Sequence, residues 1–265
     1  VEIILLGAIV GFLVGLTGMG GGALMTPLLI LLGYPPLSAV GTDLVYASTV
    51  KGVASSLHKR RGNVDLELLK ITVPTGITGI LAGYLLISFY HSEISDIVIL
   101  LLAIVLMAST SLMILANFSK KYFKIGCLIC EKYCEKFDES NGKKLTIGII
   151  AFTVGFLVML TSIGSGTLMT FFLITLTNLR PNKIVGTDLV NGLIFTLIAG
   201  VLHGVSGNVE INTALQLILG GIFGVYIGVS ASTKCSPKLL KTLVIITIGV
   251  TSIIIALKVW YSMIY

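Results

Sequence analysis

Charge is what this sequence has least of. Lysine and arginine number 18 and aspartate and glutamate 12, which is 11% of 265 residues, where a soluble domain carries about 25% to cover its surface. So few charges cannot clothe a water-facing exterior, and the outer surface must face lipid. The alternating ten-residue segments of a membrane β-barrel are missing as well. No HExxH, GxSxG or paired-carboxylate arrangement occurs, which argues against a membrane enzyme. The three histidines lack partners at metal-ligand spacing, so neither a metal nor a cofactor is expected. A net charge of +6 suggests nucleic acid in a soluble chain. In this lipid-facing one it fits basic loops at the cytoplasmic surface, with no nucleic-acid partner.

Cysteine is scarce too. Cys127, Cys130 and Cys134 follow a C-x2-C-x3-C spacing in a Lys- and Glu-rich stretch, and Cys235 stands alone. The spacing puts the triplet on one helix face. A reducing compartment disfavours structural disulfides, and a zinc or iron–sulfur site lacks an adjacent fourth ligand. Free or palmitoylated interfacial thiols are one reading of the triplet, metal or redox sensing the other.

What the chain does have is long apolar runs. Residues 66–90, 94–116, 184–202, 212–232 and 242–260 each approach the roughly 20 residues a helix needs to cross a ~30 Å hydrocarbon core. It also has internal repetition. "GFLVGLTGMGGGALMTPLLILL" (11–32) aligns with "GFLVMLTSIGSGTLMTFFLITL" (155–176), "GTDLV" (41–45) recurs at 186–190, and "GNVD" (62–65) returns as "GNVE" (207–210). The chain divides into a first repeat (1–116), a connector (117–144) and a second repeat (145–265), together one membrane domain. The first apolar segment is part of the repeat and so is not read as a cleavable signal peptide.

Basic residues fix the orientation. The loop "HKRRGN" (58–63) and the connector are basic and are expected in the cytoplasm. In the second half the basic residues sit instead in "NLRPNK" (178–183) and "STKCSPKLLK" (232–241), at the opposite ends of the equivalent spans. The repeats are therefore expected to have inverted topology, each with three spans (38–57, 66–90, 94–116; then 184–202, 212–232, 242–260). Both termini then fall outside the cytoplasm.

Each half opens on a glycine-broken apolar segment, which by parity begins and ends on one side. The returning piece, 22–32, is ~16 Å long as a helix, about half the hydrocarbon core, and a re-entrant hairpin fits. Two thin but complete spans satisfy the same parity. The expected fold is thus an all-α integral membrane protein of two inverted repeats, each a broken hairpin plus three transmembrane helices.

Irregular backbone at membrane depth is tolerated only inside protein or beside a polar cavity. The returning helices present their N-termini, with free N–H groups and a positive dipole end, at each break. Thr17, Gly18, Gly20, Gly21 and Gly22 in the first half, and Thr161, Ser162, Gly164, Ser165 and Gly166 in the second, form a candidate site for a small anion. Thr26 and Thr170 follow one turn later. Glycines 76, 79, 83, 221, 224 and 228 read instead as helix-packing residues.

The Gly-rich break with Pro27 after it, the "GT-x-L" span start (Gly41, Thr42, Leu44; Gly186, Thr187, Leu189) and the His…Gly…acidic exit (His58, Gly62, Asp65; His203, Gly207, Glu210) resemble the TauE/SafE family of sulfite exporter-like membrane transporters. The resemblance runs over nearly the whole chain. It implies secondary transport, commonly outward, of a small sulfur-containing anion such as sulfite or a sulfonate across the cytoplasmic membrane. An anion channel and a carrier for a non-sulfur organic anion are the alternatives. Two features depart from the family pattern: Asp43 and Asp188 stand where a small polar residue is expected, and Phe171 replaces the proline.

Asp43 and Asp188 have two readings, as first-turn capping residues or as a pair that takes up a co-transported proton when anion binds. Thr42, Thr187 and Asn191 adjoin them on the coupling pathway. Lys51 lies ~10 Å from the cytoplasmic end of its span, where it either snorkels to the interface or supplies a positive charge along the anion path. His58 and His203 read as interfacial structural residues. Nothing in the sequence speaks to oligomeric state.

Overall fold

The structure, a computed structural model, describes residues 2–17, 22–60, 64–89, 94–118, 141–166, 168–177, 179, 181–232, 246, 249–250 and 252–254. Among these, nine helices and no strands are present: α1 (Glu2–Thr17), α2 (Gly22–Leu31), α3 (Pro36–Arg60), α4 (Leu66–Phe89), α5 (Ile94–Phe118), α6 (Asn141–Thr161), α7 (Leu168–Leu176), α8 (Pro181–Val205) and α9 (Ile211–Ser232). Residues 249–250 and 252–254, in the last apolar run, are also helical. Helices α5 and α6 trim the connector to 119–140, which lies outside the described residues with Cys127, Cys130, Cys134 and Cys235.

Four helices are long and apolar enough to cross a membrane: α4, α6 from Lys144, α8 from Lys183, and α9 to Ala231. Together with the family membership established below, they make this a multi-pass membrane protein. Helix α3 has 25 residues but is more polar, and it packs against α8, α9 and α2 rather than facing outward. The two broken segments are less even than the sequence suggests. The helices that follow the breaks, α2 and α7, have only 10 and 9 residues. Helix α6, by contrast, has 21 residues, about 31 Å, the length of a crossing rather than of a limb that stops at mid-membrane.

Helix ends follow local chemistry. Gly33 adopts φ +92° and Gly207 φ +73°, the left-handed conformation that lets the chain fold back at a helix C-terminus. The amides of Tyr34 and Asn208 then reach Leu29 O (3.1 Å) and His203 O (2.9 Å). Asp65 caps α4 by accepting the Leu68 amide at 3.0 Å.

The halves pack through each other. Helix α1 lies on α9 and α6 on α4, while α3 crosses α8. Glycine makes both outer pairs possible. Gly7, Gly11 and Gly15 of α1 meet the backbone of Leu217, Gly221 and Val225, and in the other pair Gly155 meets the backbone of Gly76 and Gly79 that of Phe152. Small residues let helix backbones touch, which replaces the hydrophobic drive that lipid removes. Two large aromatics lock the centre: Tyr46 of α3 sits over Gly221, and Phe195 of α8 over Gly76. On the outside, Ile211, Leu215, Leu219 and Phe223 recur every fourth residue of α9 and are exposed. Such an apolar stripe is the face a membrane helix turns to lipid.

Candidate functional site

The carboxylates lie deep. Asp43 and Asp188 are each seven residues into their helices, α3 and α8, about 10 Å from the helix start. They do not cap a first turn, because each helix begins at a proline well upstream. Both are buried, and each holds the returning helix of its own half. Thr26 Oγ1 of α2 donates to Asp43 Oδ2 at 2.6 Å, and Thr170 Oγ1 of α7 donates to Asp188 Oδ2. The second oxygen of each carboxylate is buried and has no hydrogen-bond partner among the described residues. A buried polar group without a partner is costly unless something else, such as a proton or a ligand, satisfies it.

Lys51 joins this pair. It is 2% exposed, and its Nζ donates to Ser165 Oγ at 2.6 Å. It therefore turns into the protein rather than snorkelling to the interface, and it interacts electrostatically with both Asp43 and Asp188. Room for the ammonium comes from Gly192 of α8, where a Cβ would stand 3.2 Å from both Lys51 Nζ and Ser165 Oγ. Gly192 was not anticipated as a site residue. The available signal was a glycine one turn beyond Asp188.

The second break is fully traced from Thr161 to Gly166. Thr161 Oγ1 donates to Leu157 O (2.7 Å) and accepts the Ile163 amide (3.2 Å), so its hydroxyl shapes the turn. Ser162 is left-handed at φ +60°, and Gly164 and Gly166 have φ +137° and +111°. The glycines accept such angles freely, whereas a serine there is strained. Ser162 is 1% exposed, and its hydroxyl lies beside the Asp43 carboxylate, to which it can donate, without a short hydrogen bond among the described residues. The Gly166 amide, at the head of α7, interacts with the Asp188 carboxylate. The dipole end expected to await an anion therefore already faces an acid. Of the first break, Thr17 ends α1 and Gly22 opens α2. Gly18, Gly20 and Gly21 lie outside the described residues, as does the Thr17 side chain.

Three expected pathway residues make hydrogen bonds to other elements. Thr42 Oγ1 accepts the Glu210 amide at 3.0 Å, and Thr187 Oγ1 accepts the Asp65 amide at 2.8 Å. Each "GTD" threonine thus holds the amide of the acid that ends the other half's "GNV-acid" stretch, and at Gly41 a Cβ would collide with Asn208 and stand 3.0 Å from His203 Cβ. Asn191 is hydrogen-bonded to Thr72 of α4 (Nδ2 to Oγ1, 2.8 Å), tying helices together. His203 is buried, and its Nε2 lies 2.9 Å from Met159 O. A carbonyl only accepts, so Nε2 carries the proton. The His58 side chain lies outside the described residues.

Chemically, the centre combines one ammonium, two carboxylates and several hydroxyls on two broken segments and the helices that follow them. Such a set can exchange protons and charge with a small ion. Among the described residues, no group of three or more His, Cys, Asp or Glu is placed to hold a metal. The family model described as sulfite exporter TauE/SafE matches residues 3–255. The probable membrane transporter protein YjnA of Bacillus subtilis (strain 168) is 37% identical over 213 residues, which is 78% of this chain and 80% of that protein. No solved structure matches.

Proposed function

Because the chain belongs to the sulfite exporter TauE/SafE family of membrane transporters, we propose that it carries a small sulfur-containing anion, sulfite or a sulfonate, outward across the cytoplasmic membrane by alternating access, with a proton as co-substrate. One observation carries this reading: a buried lysine hydrogen-bonded to the second break and coupled to two buried carboxylates. An uncompensated charge at that depth is costly, and ionisable groups inside membrane proteins mark ion paths. Lys51 is balanced by the two acids. An arriving anion takes over that role, and a carboxylate relieved of its counter-charge takes up the proton. Among the described residues, the titratable or charged groups facing the centre are Asp43, Tyr46 and Lys51 on α3 and Asp188 on α8, with His203 farther along α8.

Alternating access rests on two inverted repeats. The reciprocity of the packing supports them: α1 on α9 answers α6 on α4, α3 on α9 answers α8 on α4, and α2 on α3 answers α7 on α8. The exchange of basic loops between opposite ends of equivalent spans supports the inversion.

The test is flux into proteoliposomes with labelled sulfite, a sulfonate, thiosulfate and a carboxylate, with and without a pH gradient. Saturable movement of a sulfur anion that responds to the gradient is the expected result. Transport of the carboxylate alone overturns the substrate class. Large single-channel currents overturn the carrier mechanism in favour of an anion channel.

A further inference from the structure

We infer that the substrate anion is bound by one half of the duplicated site, at the second break, where Lys51 Nζ and the hydroxyls of Ser162 and Ser165 form the recognition subsite. The inference rests on the anion-transport reading above and deepens it by naming where the anion sits and what holds it.

The first argument is the asymmetry of the repeats. Both halves supply an acid held by a threonine, but the cation comes from the first half alone and the hydroxyls from the break of the second alone. The equivalents of Lys51, Ser162 and Ser165 are Thr196, Gly18 and Gly21. Thr196 Oγ1 is occupied by its own helix, donating to Gly192 O at 2.7 Å. Glycines at 18 and 21 bring no side-chain donor. Among the described residues Lys51 is the one buried lysine or arginine. It belongs to the first half yet reaches the break of the second.

The second argument is unused donor capacity. An ammonium has three N–H donors, and one goes to Ser165, leaving two without a partner among the described residues. The Ser162 hydroxyl is buried beside the Asp43 carboxylate, in no short hydrogen bond, on a residue held in a strained left-handed conformation, so protonation of Asp43 frees it to donate to an anion. Strain of this kind persists where the surroundings hold a side chain in place for a purpose. Gly192 keeps the space beside Lys51 and Ser165 free of a side chain. At the head of α7 the Gly166 amide already faces Asp188, so the donors left for an anion are those of Lys51 and the serines. Two N–H donors and a hydroxyl match an oxyanion that offers several acceptor oxygens around one small centre.

The experiment is sulfite flux in proteoliposomes, reading KM and the pH profile for wild type, K51M, K51R, S162A and T196V. Hydrogen bonds to charged groups are worth enough that losing one shifts affinity by about tenfold or more. K51M should therefore raise KM at least about tenfold or abolish uptake, and K51R should retain part of the activity. S162A removes one hydrogen bond to the anion and should raise KM about tenfold. T196V should stay within about twofold of wild type. An unchanged KM in S162A together with active K51M of wild-type KM overturns the inference, as does T196V raising KM as much as S162A. K51M protein that fails to fold leaves S162A to decide. Absence of sulfite, sulfonate and thiosulfate transport in wild type overturns the anion-transport reading and this inference with it. Wild-type transport with unaffected variants overturns this inference alone.

Discussion

A methyl group at Gly155 tests the packing that holds the halves together. A Cβ there would stand 2.8 Å from the carbonyl carbon of Gly76 and 3.0 Å from its Cα, and at Gly11 the corresponding atoms of Gly221 lie at 3.1 and 2.9 Å. Carbon atoms attract best at ~3.5–4.0 Å, so each alanine is short of room by about 0.5 Å or more. The obstacle is helix backbone, which has no alternative rotamer, and the two helices must separate. A gap of that size forfeits about a quarter of the dispersion attraction along the interface. Overpacking costs about 1–3 kcal/mol, and the rigid obstacle puts these sites toward the upper value. The better helix propensity of alanine returns about 1 kcal/mol. Gly155→Ala and Gly11→Ala should each therefore lose about 2 kcal/mol of stability. Gly204, in α8, has nothing within 4 Å of its would-be Cβ, so Gly204→Ala should be neutral or stabilising by up to about 1 kcal/mol. Reversible unfolding in mixed micelles reads all three. A Gly155→Ala protein as stable as Gly204→Ala would refute the close α4–α6 contact. Unequal losses at Gly11 and Gly155 would count against equivalent packing of the two pairs.

Other expectations concern the site and the threonine–amide hydrogen bonds between the halves. Asp188→Asn should flatten the pH dependence of flux while leaving insertion intact, and an unaltered profile would remove that carboxylate from coupling. Gly164→Leu places a side chain at φ +137° and should abolish flux without preventing membrane insertion; wild-type flux would contradict a functional turn there. Thr42→Val and Thr187→Val each leave a partly buried backbone amide without its acceptor, a loss of about 1 kcal/mol apiece, measured by detergent unfolding. Full stability in both would mean that these hydrogen bonds contribute nothing.

The membrane class, the duplication and the position of both breaks were legible from residues alone, because charge scarcity, self-similarity and glycine clusters are local signals. The returning helix expected at 22–32 is Gly22–Leu31, and the span expected at 212–232 is Ile211–Ser232. What the sequence hid was partnership. A repeat shows that "GTD" and "GNV-acid" occur together in each half, but not that Thr42 serves Glu210 and Thr187 serves Asp65. Self-similarity is blind to which copy an element packs against. Depth was hidden for a related reason. Pro36 and Pro181 open their helices earlier than the hydropathy pattern indicates, which moves Asp43 and Asp188 from the first turn to two turns inside. Lys51 was ambiguous because a lysine stem reaches either water or protein, and only the position of Ser165 decides between them.

The acids also account for a difficulty in the dipole argument. A free helix N-terminus attracts any anion, and a transporter that held its cargo so indiscriminately would be slow to release it. With Asp188 facing the Gly166 amide and Thr170 donating to the same carboxylate, the head of α7 already has a resident negative group. On the proposed mechanism the substrate must compete with that carboxylate for Lys51, and protonating the carboxylate weakens the competitor. Proton and anion then enter together, and loss of the proton restores the carboxylate's hold and expels the cargo. The two halves need not contribute equally. The first provides Lys51, the second provides the strained turn that receives it, and neither makes the subsite alone. Moving the cation to the other half by pairing Lys51→Thr with Thr196→Lys should therefore fail to restore flux, because Gly18 and Gly21 offer the new lysine no hydroxyl. Recovery of wild-type KM in that exchange would show that any buried positive charge suffices and that the second break has no special part in recognition.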